Sequence, residues 1–406
     1  MIADLHCHYP MHLLEHAPPS ETYDRMVRVR RRPRWLEKLR ALVFRLAARG
    51  FNYRDHASGW RVDLDRLEKG KVRLVLSVLY EPFAEIDLDE LPNSDPEDGY
   101  FSDLVDHLDR VEKELSQIDP DQRRHLVARS EADLAAAADT GRIAFVHCVE
   151  GGFHLGRTNA AITKNVAELA RRGVGYVTVA HLFYRGIATN APALPMFSDR
   201  TYNRIFCQPH KGLTELGREA VRAMYENRIL IDVSHMSAEA LDDTFDLLKE
   251  LDSEHGAEPT TFPVVATHAG HRFGNQAYML DRRNIERIVA RDGVIGLIMA
   301  RHQLQDGIGD GEGIDHTVAT VRRHIDRIRE IAGSHAHVGI GSDLDGFIKP
   351  TMSGIEFADD LGKLEAPLRA AYPQDADAIL FGNGHRVVAR VLGQREERVR
   401  RERVRA

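Results

Sequence analysis

Short apolar segments recur along the chain, and helical patterns separate most of them. Residues 159–172, for example, carry Ile162, Val166 and Leu169 at helical spacing. The eight apolar segments that we interpret as strands are Ile2–His8, Val72–Tyr80, Ile143–Glu150, Gly175–His181, Ile229–His235, Pro263–His268, Val294–Met299 and His337–Asp343. Strands that alternate with helices are typical of a parallel sheet. Eight such units predict an α/β fold of the (β/α)8 type, a TIM barrel.

Further helices are predicted from capping residues and periodicity. Ser237 is an expected N-cap for residues 238–251, and Asn284 for residues 285–291. The remaining helical patterns lie at residues 104–115, 213–227 and 317–331.

Two segments, around residues 10–60 and 83–135, are insertions in the predicted barrel. Within the first, the basic segment 28–49 consists of the basic run Arg28–Arg34 followed by a predicted amphipathic basic helix over Trp35–Arg49. It either packs on the barrel with a solvated face or forms a lid or subunit contact. Residues 395–406 are charged throughout and are expected to form a frayed terminal helix. Because no repeat or low-complexity linker interrupts the chain, we expect one domain over residues 1–406, with 395–406 as its tail.

The composition excludes several classes of protein. A net charge of −7 over 406 residues gives no electrostatic footprint for nucleic acid. No apolar stretch approaches the ~20 residues that a membrane span needs. Three cysteines provide no disulfide framework, and the N-terminus has no signal-peptide pattern. We therefore expect a cytoplasmic enzyme with a small-molecule substrate and no nucleic-acid or membrane partner. The sequence leaves the oligomeric state open, with a homodimer as one expectation.

Six of the eight predicted strands end on residues that can bind a metal or move a proton. In a barrel of this type the carboxyl ends of the strands meet at one face, where the active site lies. The sequence therefore predicts that these residues converge, although they are distant along the chain. They are His6 and His8, Glu150, His181, His235, His268 and Asp343.

Each candidate metal ligand also has a plainer interpretation. From its own segment, Glu150 is best interpreted as salt-bridged to an arginine. His6 and His8 are two residues apart, which places both imidazoles on one face of a strand as a chelating pair, but they could equally be surface histidines. A single histidine such as His235 or His268 is more often a satisfied core residue. Two on adjacent strands favour ligation.

Neighbouring residues are assigned other roles. Asp343 could ligate a metal or move a proton, whereas Asp345 is expected to cap the following turn. Asp232 lies inside its strand and is expected to support the ligands. His147 faces away from Glu150 and is not expected to bind metal.

Several segments together resemble the renal (membrane) dipeptidase family of zinc metallopeptidases. They include Val149–Gly152, Asp232–His235, Thr267–Gly270, Arg282–Asn284 and Gly339–Gly346, with Val62–Val72, Gly212–Gly217 and Phe381–Gly384. The resemblance implies an amidohydrolase-type barrel that binds two Zn²⁺ per chain, bridged by Glu150. By position, His6 and His8 hold one metal and His235 and His268 the other. His181 matches the histidine that contacts the scissile group, Arg283 the arginine that receives the dipeptide's carboxylate, and Asp343 the acid beside the metals.

This chain departs from the family pattern at three places. His8 stands where the family usually has an aspartate, which should favour zinc over harder ions. The loop after His181 differs, and the segment between His268 and Arg283 is longer. The last two changes touch the substrate pocket.

The function expected from the resemblance is hydrolysis of the amide bond of dipeptides, including those with a D-residue at the carboxyl end. The nucleophile would be a hydroxide bridging two zinc ions. One alternative keeps the barrel and changes the substrate to a lactone, a cyclic amide or an N-acyl amino acid. Another is a non-catalytic metal-binding barrel.

Overall fold

A computed structural model describes residues 1–13, 60–81, 85, 96, 99–346 and 350–405. The described strands are β1 (Ile2–Cys7), β2 (Val72–Leu79), β3 (His125–Val127), β4 (Ile143–Glu150), β5 (Tyr176–Thr178), β6 (Leu230–Asp232), β7 (Val264–Ala269), β8 (Val294–Leu297) and β9 (Val338–Ile340). All of their pairings are parallel, in the order β2-β1-β9-β8-β7-β6-β5-β4. A pairing between β2 and β4 closes this sheet into an eight-stranded barrel. The predicted (β/α)8 fold is thus confirmed.

Strand β3 is an addition that the hydrophobic pattern did not predict. Its three residues pair with the first residues of β4, whereas β5 pairs with the last two residues of β4. The strand lies in the inserted segment 83–135, outside the barrel order. Three residues are too short to produce a recognisable alternation of apolar and polar positions.

Helices follow most of the strands and cover the outside of the barrel. Their bounds are α1 (Leu64–Lys69), α2 (Tyr100–Ile118), α3 (Glu131–Thr140), α4 (Asn159–Arg171), α5 (Asp199–Ile205), α6 (Glu215–Asn227), α7 (Ala238–His255), α8 (Arg282–Ala290), α9 (Arg301–Leu304), α10 (Ile314–Ala332), α11 (Glu365–Ala371) and α12 (Asn383–Arg405). The predicted cap of α7 is confirmed, because the Ser237 hydroxyl accepts a hydrogen bond from the amide of Ala240. The predicted cap of α8 is wrong. Asp281, not Asn284, accepts the capping bond, so the helix begins three residues before the predicted start.

The core explains why these segments form strands and helices. Every residue of β4 is buried, so its apolar side chains stabilise the barrel on both faces. Helix α4 buries Ile162, Val166, Leu169 and Ala170, the residues that repeat at helical spacing. Apart from Tyr184, the buried hydrophobic side chains of the described residues form one cluster.

The charged tail is better anchored than the sequence suggests. Arg395 is only 7% exposed, and its guanidinium donates to the backbone oxygens of Ala170, Val174 and Arg228. The predicted tail was expected to be frayed over residues 395–406, and this expectation is wrong for Arg395, which is anchored. The basic segment 28–49 lies outside the described residues. None of the helices described is long and apolar enough to span a membrane.

Candidate metal centre

The carboxylate of Glu150, at the end of β4, lies among the Nε2 atoms of five histidines. Its Oε1 is 3.2 Å from His6, 3.4 Å from His268 and 3.7 Å from His235. Its Oε2 is 3.3 Å from His8 and 3.2 Å from His181. The structure therefore brings together all five of the predicted ligands, with His181 beside them. Burial within a ring of imidazoles replaces the arginine partner that the segment alone suggested.

The histidines form two close pairs. The Nε2 atoms of His6 and His8 are 3.2 Å apart, and those of His235 and His268 are 2.9 Å apart. Two nitrogens that bind one tetrahedral zinc ion lie ~3.3 Å apart, given Zn–N bonds of ~2.0–2.1 Å. Each pair, with one oxygen of Glu150, has the donors and the spacing to hold one divalent cation. The residues present thus fit a metal pair bridged by Glu150.

Unsatisfied polar atoms support the same interpretation. Glu150 is 1% exposed, and neither of its oxygens receives a hydrogen bond of acceptable geometry. A buried carboxylate without donors is very unfavourable unless a cation compensates it. Burial would raise the pKa of Glu150, yet the imidazoles of His181 and His6 hold that pKa well below its usual value.

The surroundings of His8 show how strongly this spot attracts positive charge. Burial would lower the pKa of His8, but Asp343 and Glu150 raise it to about 10. The opposite side of the centre is different, because burial and then neighbouring imidazoles lower the pKa values of His235 and His268. Neutral imidazoles are the form that binds a metal.

A hydrogen-bond network below the centre orients the ligands. The Nδ1 atom of His6 contacts the hydroxyls of Thr267 (3.0 Å) and Tyr176 (2.8 Å), and Nδ1 of His268 contacts the same threonine (2.9 Å). Thr267 in turn donates from its hydroxyl and its amide to Asp232. The predicted supporting role of Asp232 is confirmed by these contacts. Tyr176 and Thr267 were not predicted, because ordinary strand residues carry no local mark of such contacts.

Asp343 joins the centre next to His8. Its Oδ1 is 3.2 Å from Nε2 of His8 and 3.9 Å from Nε2 of His6. The backbone at Asp343 and at His235 is left-handed, with φ of 56° and 65°. Such strained positions in non-glycine residues cluster at functional sites. Asp345 accepts hydrogen bonds from the amides of Arg61 and Val62, which tie it to a distant segment. Its predicted role as a cap concerns the turn at residues 347–349, which lies outside the described residues.

His181 is held by a residue that sequence reasoning missed. Its Nδ1 lies 2.6 Å from Oε2 of Glu85, while its Nε2 faces Glu150. Glu85 is 1% exposed and also accepts hydrogen bonds from the Tyr80 hydroxyl and the Phe183 amide. Burial would lower the pKa of His181, but Glu150 and Glu85 raise it.

Two further residues stand apart from the centre. Arg283, in the first turn of α8, is 63% exposed and forms an ion pair with Asp242 of α7. Among the described contacts of Arg283, none is with the metal centre, so the geometry does not place it as the receptor of a substrate carboxylate. His147 is buried with neither ring nitrogen hydrogen-bonded, and burial followed by the charges of Arg129 and Arg172 lowers its pKa to about 3.

A parallel barrel with carboxylate and imidazole donors at the carboxyl ends of its strands defines a metal-dependent hydrolase. The chain matches the model of the membrane dipeptidase family (peptidase family M19) over residues 1–401. It therefore belongs to that family, whose members are metallopeptidases that hydrolyse peptide bonds.

Individual relatives agree with this assignment. Dipeptidase tcpJ of Claviceps purpurea is 26% identical over 384 residues, covering 91% of this chain and 75% of that protein. A metallo peptidase from Rhodobacter sphaeroides, liganded with a phosphinate mimic of the dipeptide L-Ala-D-Ala, has a similar fold. Its TM-score is 0.66 at 20% identity, over 96% of this chain and 99% of that one. Dipeptidase AC matches with a TM-score of 0.64 at 22% identity, over 87% and 96% of the two chains.

Proposed function

We propose that the protein is a dipeptidase that uses two zinc ions to hydrolyse the amide bond of short peptides. The observation that carries the proposal is the position of Glu150, whose two oxygens each lie within 3.4 Å of the Nε2 atoms of two histidines from different strand ends. A bridging carboxylate between two imidazole pairs is the donor set that a two-metal hydrolase requires.

The residues divide between the two ions as the strands present them. His6 and His8, both at the end of β1, would hold one ion, and His235 and His268 the other, with Glu150 shared. When bound, the two ions would polarise the carbonyl of the amide and lower the pKa of a water molecule to ~7. Nitrogen donors at four of the five positions favour zinc over magnesium or calcium.

Two residues are placed to act on the reacting groups. Nε2 of His181 faces the centre and can contact the carbonyl oxygen on which negative charge develops. The carboxylate of Asp343 lies within 3.2 Å of His8 and can accept a proton from the attacking water. The same carboxylate can then give the proton to the leaving amine. Both residues are buried, so bulk water does not compete for these contacts.

The substrate class rests on the relatives and is proposed for this chain as dipeptides, including those with a D-residue at the carboxyl end. The Rhodobacter sphaeroides relative binds a mimic of such a dipeptide. The altered loop after His181 and the exposed position of Arg283 leave the group that recognises the terminal carboxylate open. We also propose a cytoplasmic location, supported by the buried free thiols of Cys7 and Cys148. The homodimer stays a prediction.

The test combines metal analysis with a substrate panel. Purified protein is assayed for zinc content and for hydrolysis of L-Ala-L-Ala, L-Ala-D-Ala, an N-acetyl amino acid and a γ-lactone. We expect two zinc ions per chain, and a kcat/KM for at least one dipeptide that exceeds those for the other two compounds. Removal of zinc by a chelator should abolish the activity, and added zinc should restore it. Zinc-loaded protein that hydrolyses only the lactone or the N-acetyl compound would replace the proposed substrate, and protein that hydrolyses nothing would point to a non-catalytic barrel.

A further inference from the structure

Glu85 is a buried carboxylate next to the centre, and none of the segments that resemble the dipeptidase family contains it. Its Oε2 accepts from the hydroxyl of Tyr80 at 2.7 Å and lies 2.6 Å from Nδ1 of His181. Its Oε1 accepts from the amide of Phe183 at 2.9 Å. Three donors converge on a group that is 1% exposed, which is how a buried charge is stabilised.

These contacts fix which edge of the imidazole faces the centre. An ionised carboxylate only accepts hydrogen bonds, so the 2.6 Å contact places a hydrogen on Nδ1 of His181. Nε2 is then the nitrogen directed at Glu150, 3.2 Å away. The ring of Tyr80 packs edge-on against the imidazole, with centroids 4.7 Å apart, and limits its rotation. The ring of His181 is thus held from two sides, by Glu85 and by Tyr80.

We propose that Glu85 is a positioning residue, which accepts a hydrogen bond from Nδ1 of His181 and so turns Nε2 toward the substrate. Among the described contacts of Glu85, none is with a candidate metal ligand. The inference rests on the proposed function only in the identity of the group that Nε2 meets. The orientation of the ring is a separate statement, and it can be tested on protein without metal.

The first test needs no variant. In metal-free protein labelled with ¹⁵N-histidine, the ¹⁵N shifts of His181, assigned by comparison with His181→Gln, report whether Nδ1 carries a hydrogen. We expect a protonated Nδ1. A bare Nδ1 with the hydrogen on Nε2 would overturn the proposal, whether or not the protein proves to be a dipeptidase. Failure of the proposed function would instead appear as absence of activity in the wild type with the expected spectrum intact.

The second test is kinetic. Glu85→Gln preserves the shape but removes the charge and replaces one acceptor by a donor, so the amide cannot accept from all three neighbours. We expect kcat for the best dipeptide to fall about 10- to 100-fold, as for other residues that orient active-site groups. KM and zinc content should change less than about threefold, because no ligand is removed.

Glu81→Gln is the matched control. Glu81 is also buried, stands four residues earlier, and pairs with Nδ1 of a histidine, His107, at 2.9 Å. His107 is not part of the centre, so this variant should retain the wild-type kcat. An equal loss of kcat in both variants, or an unchanged kcat in Glu85→Gln, would show that Glu85 has no specific effect on His181 and would overturn the proposal.

Discussion

The Nε2 atom of His8 lies 3.2 Å from Oδ1 of Asp343. An imidazole therefore occupies the place where the dipeptidase resemblance implies an aspartate. His8→Asp would add a negative charge beside Asp343 and Glu150 and remove a nitrogen donor. We expect the variant to bind magnesium or manganese more tightly relative to zinc than the wild type does, because hard ions prefer oxygen ligands. Equilibrium dialysis against metal mixtures, followed by metal analysis, measures this ratio.

The control for this exchange is His210→Asp, which makes the same change at an exposed position. It should leave the metal ratio at the wild-type value. Wild-type protein that takes up only magnesium or calcium from an equimolar mixture with zinc would end the assignment of the centre to zinc.

Glu150 is the residue on which both halves of the centre depend. Glu150→Gln keeps the size of the side chain but removes the charge that would bridge the two cations. We expect fewer than one zinc ion per chain and a fall in kcat/KM of at least about 10³-fold, equivalent to about 4 kcal/mol of transition-state stabilisation. Glu250→Gln is the control, because that carboxylate is 55% exposed and its described ion pair is with Arg218, away from the centre. A Glu150→Gln variant that retains two zinc ions would exclude the bridge.

The barrel and the convergence of the candidate metal ligands were predictable because the relevant information is local. The segment Ile143–Glu150 is apolar until its last residue, and the structure places that strand at the predicted positions. The carboxyl ends of parallel strands must share one face, so His6, His235 and His268 could be brought together without knowledge of any contact.

The contacts that orient the centre were not predictable, because they join residues far apart in sequence. Glu85 and His181 are separated by 96 positions, and no pattern around residue 85 indicates the pairing. The resemblance assigned Arg283 to the site only because of its position in the family's sequence pattern. In the structure, the helix begins at Arg282 because Asp281 provides its cap, and this start places Arg283 beside Asp242.

Gly346 allows the carboxylate of Asp343 to reach the centre. A Cβ atom at residue 346 would lie 2.0 Å from Oδ1 of Asp343. Gly346→Ala should therefore displace this carboxylate and lower kcat by about 10²-fold, the effect of moving a catalytic group by ~1 Å. Steady-state kinetics with metal analysis checks the prediction, since zinc content should remain close to two ions. Gly362→Ala is the control, because its Cβ would meet only ordinary contacts, 3.5 Å from Gly70. Equal kinetics for the two variants would mean that Asp343 is not placed as described.

The family resemblance and the structure predict different effects of removing Arg283 on the KM for dipeptides. A guanidinium that receives the substrate carboxylate would, when removed, raise KM strongly for dipeptides. The observed guanidinium is 63% exposed and paired with Asp242, an interaction worth about 0–1 kcal/mol. We therefore expect Arg283→Ala to change KM for L-Ala-D-Ala by less than about twofold, which is ~0.4 kcal/mol. A rise of more than tenfold for the dipeptide, without a rise for its C-terminal amide, would support the role implied by the resemblance.

The free energy of unfolding should decrease at low pH because of His324, a histidine that is buried in α10. Its Nε2 donates to the carbonyl of Leu304 and its Nδ1 accepts from the amide of His271, so only the neutral ring fits. Burial lowers its pKa from 6.5 to about 4. Between these values the unfolded chain binds more protons, so the free energy of unfolding falls as the pH decreases. The variant His324→Gln can keep both hydrogen bonds but cannot titrate. In urea titrations of metal-free protein, its free energy of unfolding should fall by about 2 kcal/mol less than that of the wild type between pH 7 and 5. Equal losses would mean that His324 does not titrate on unfolding.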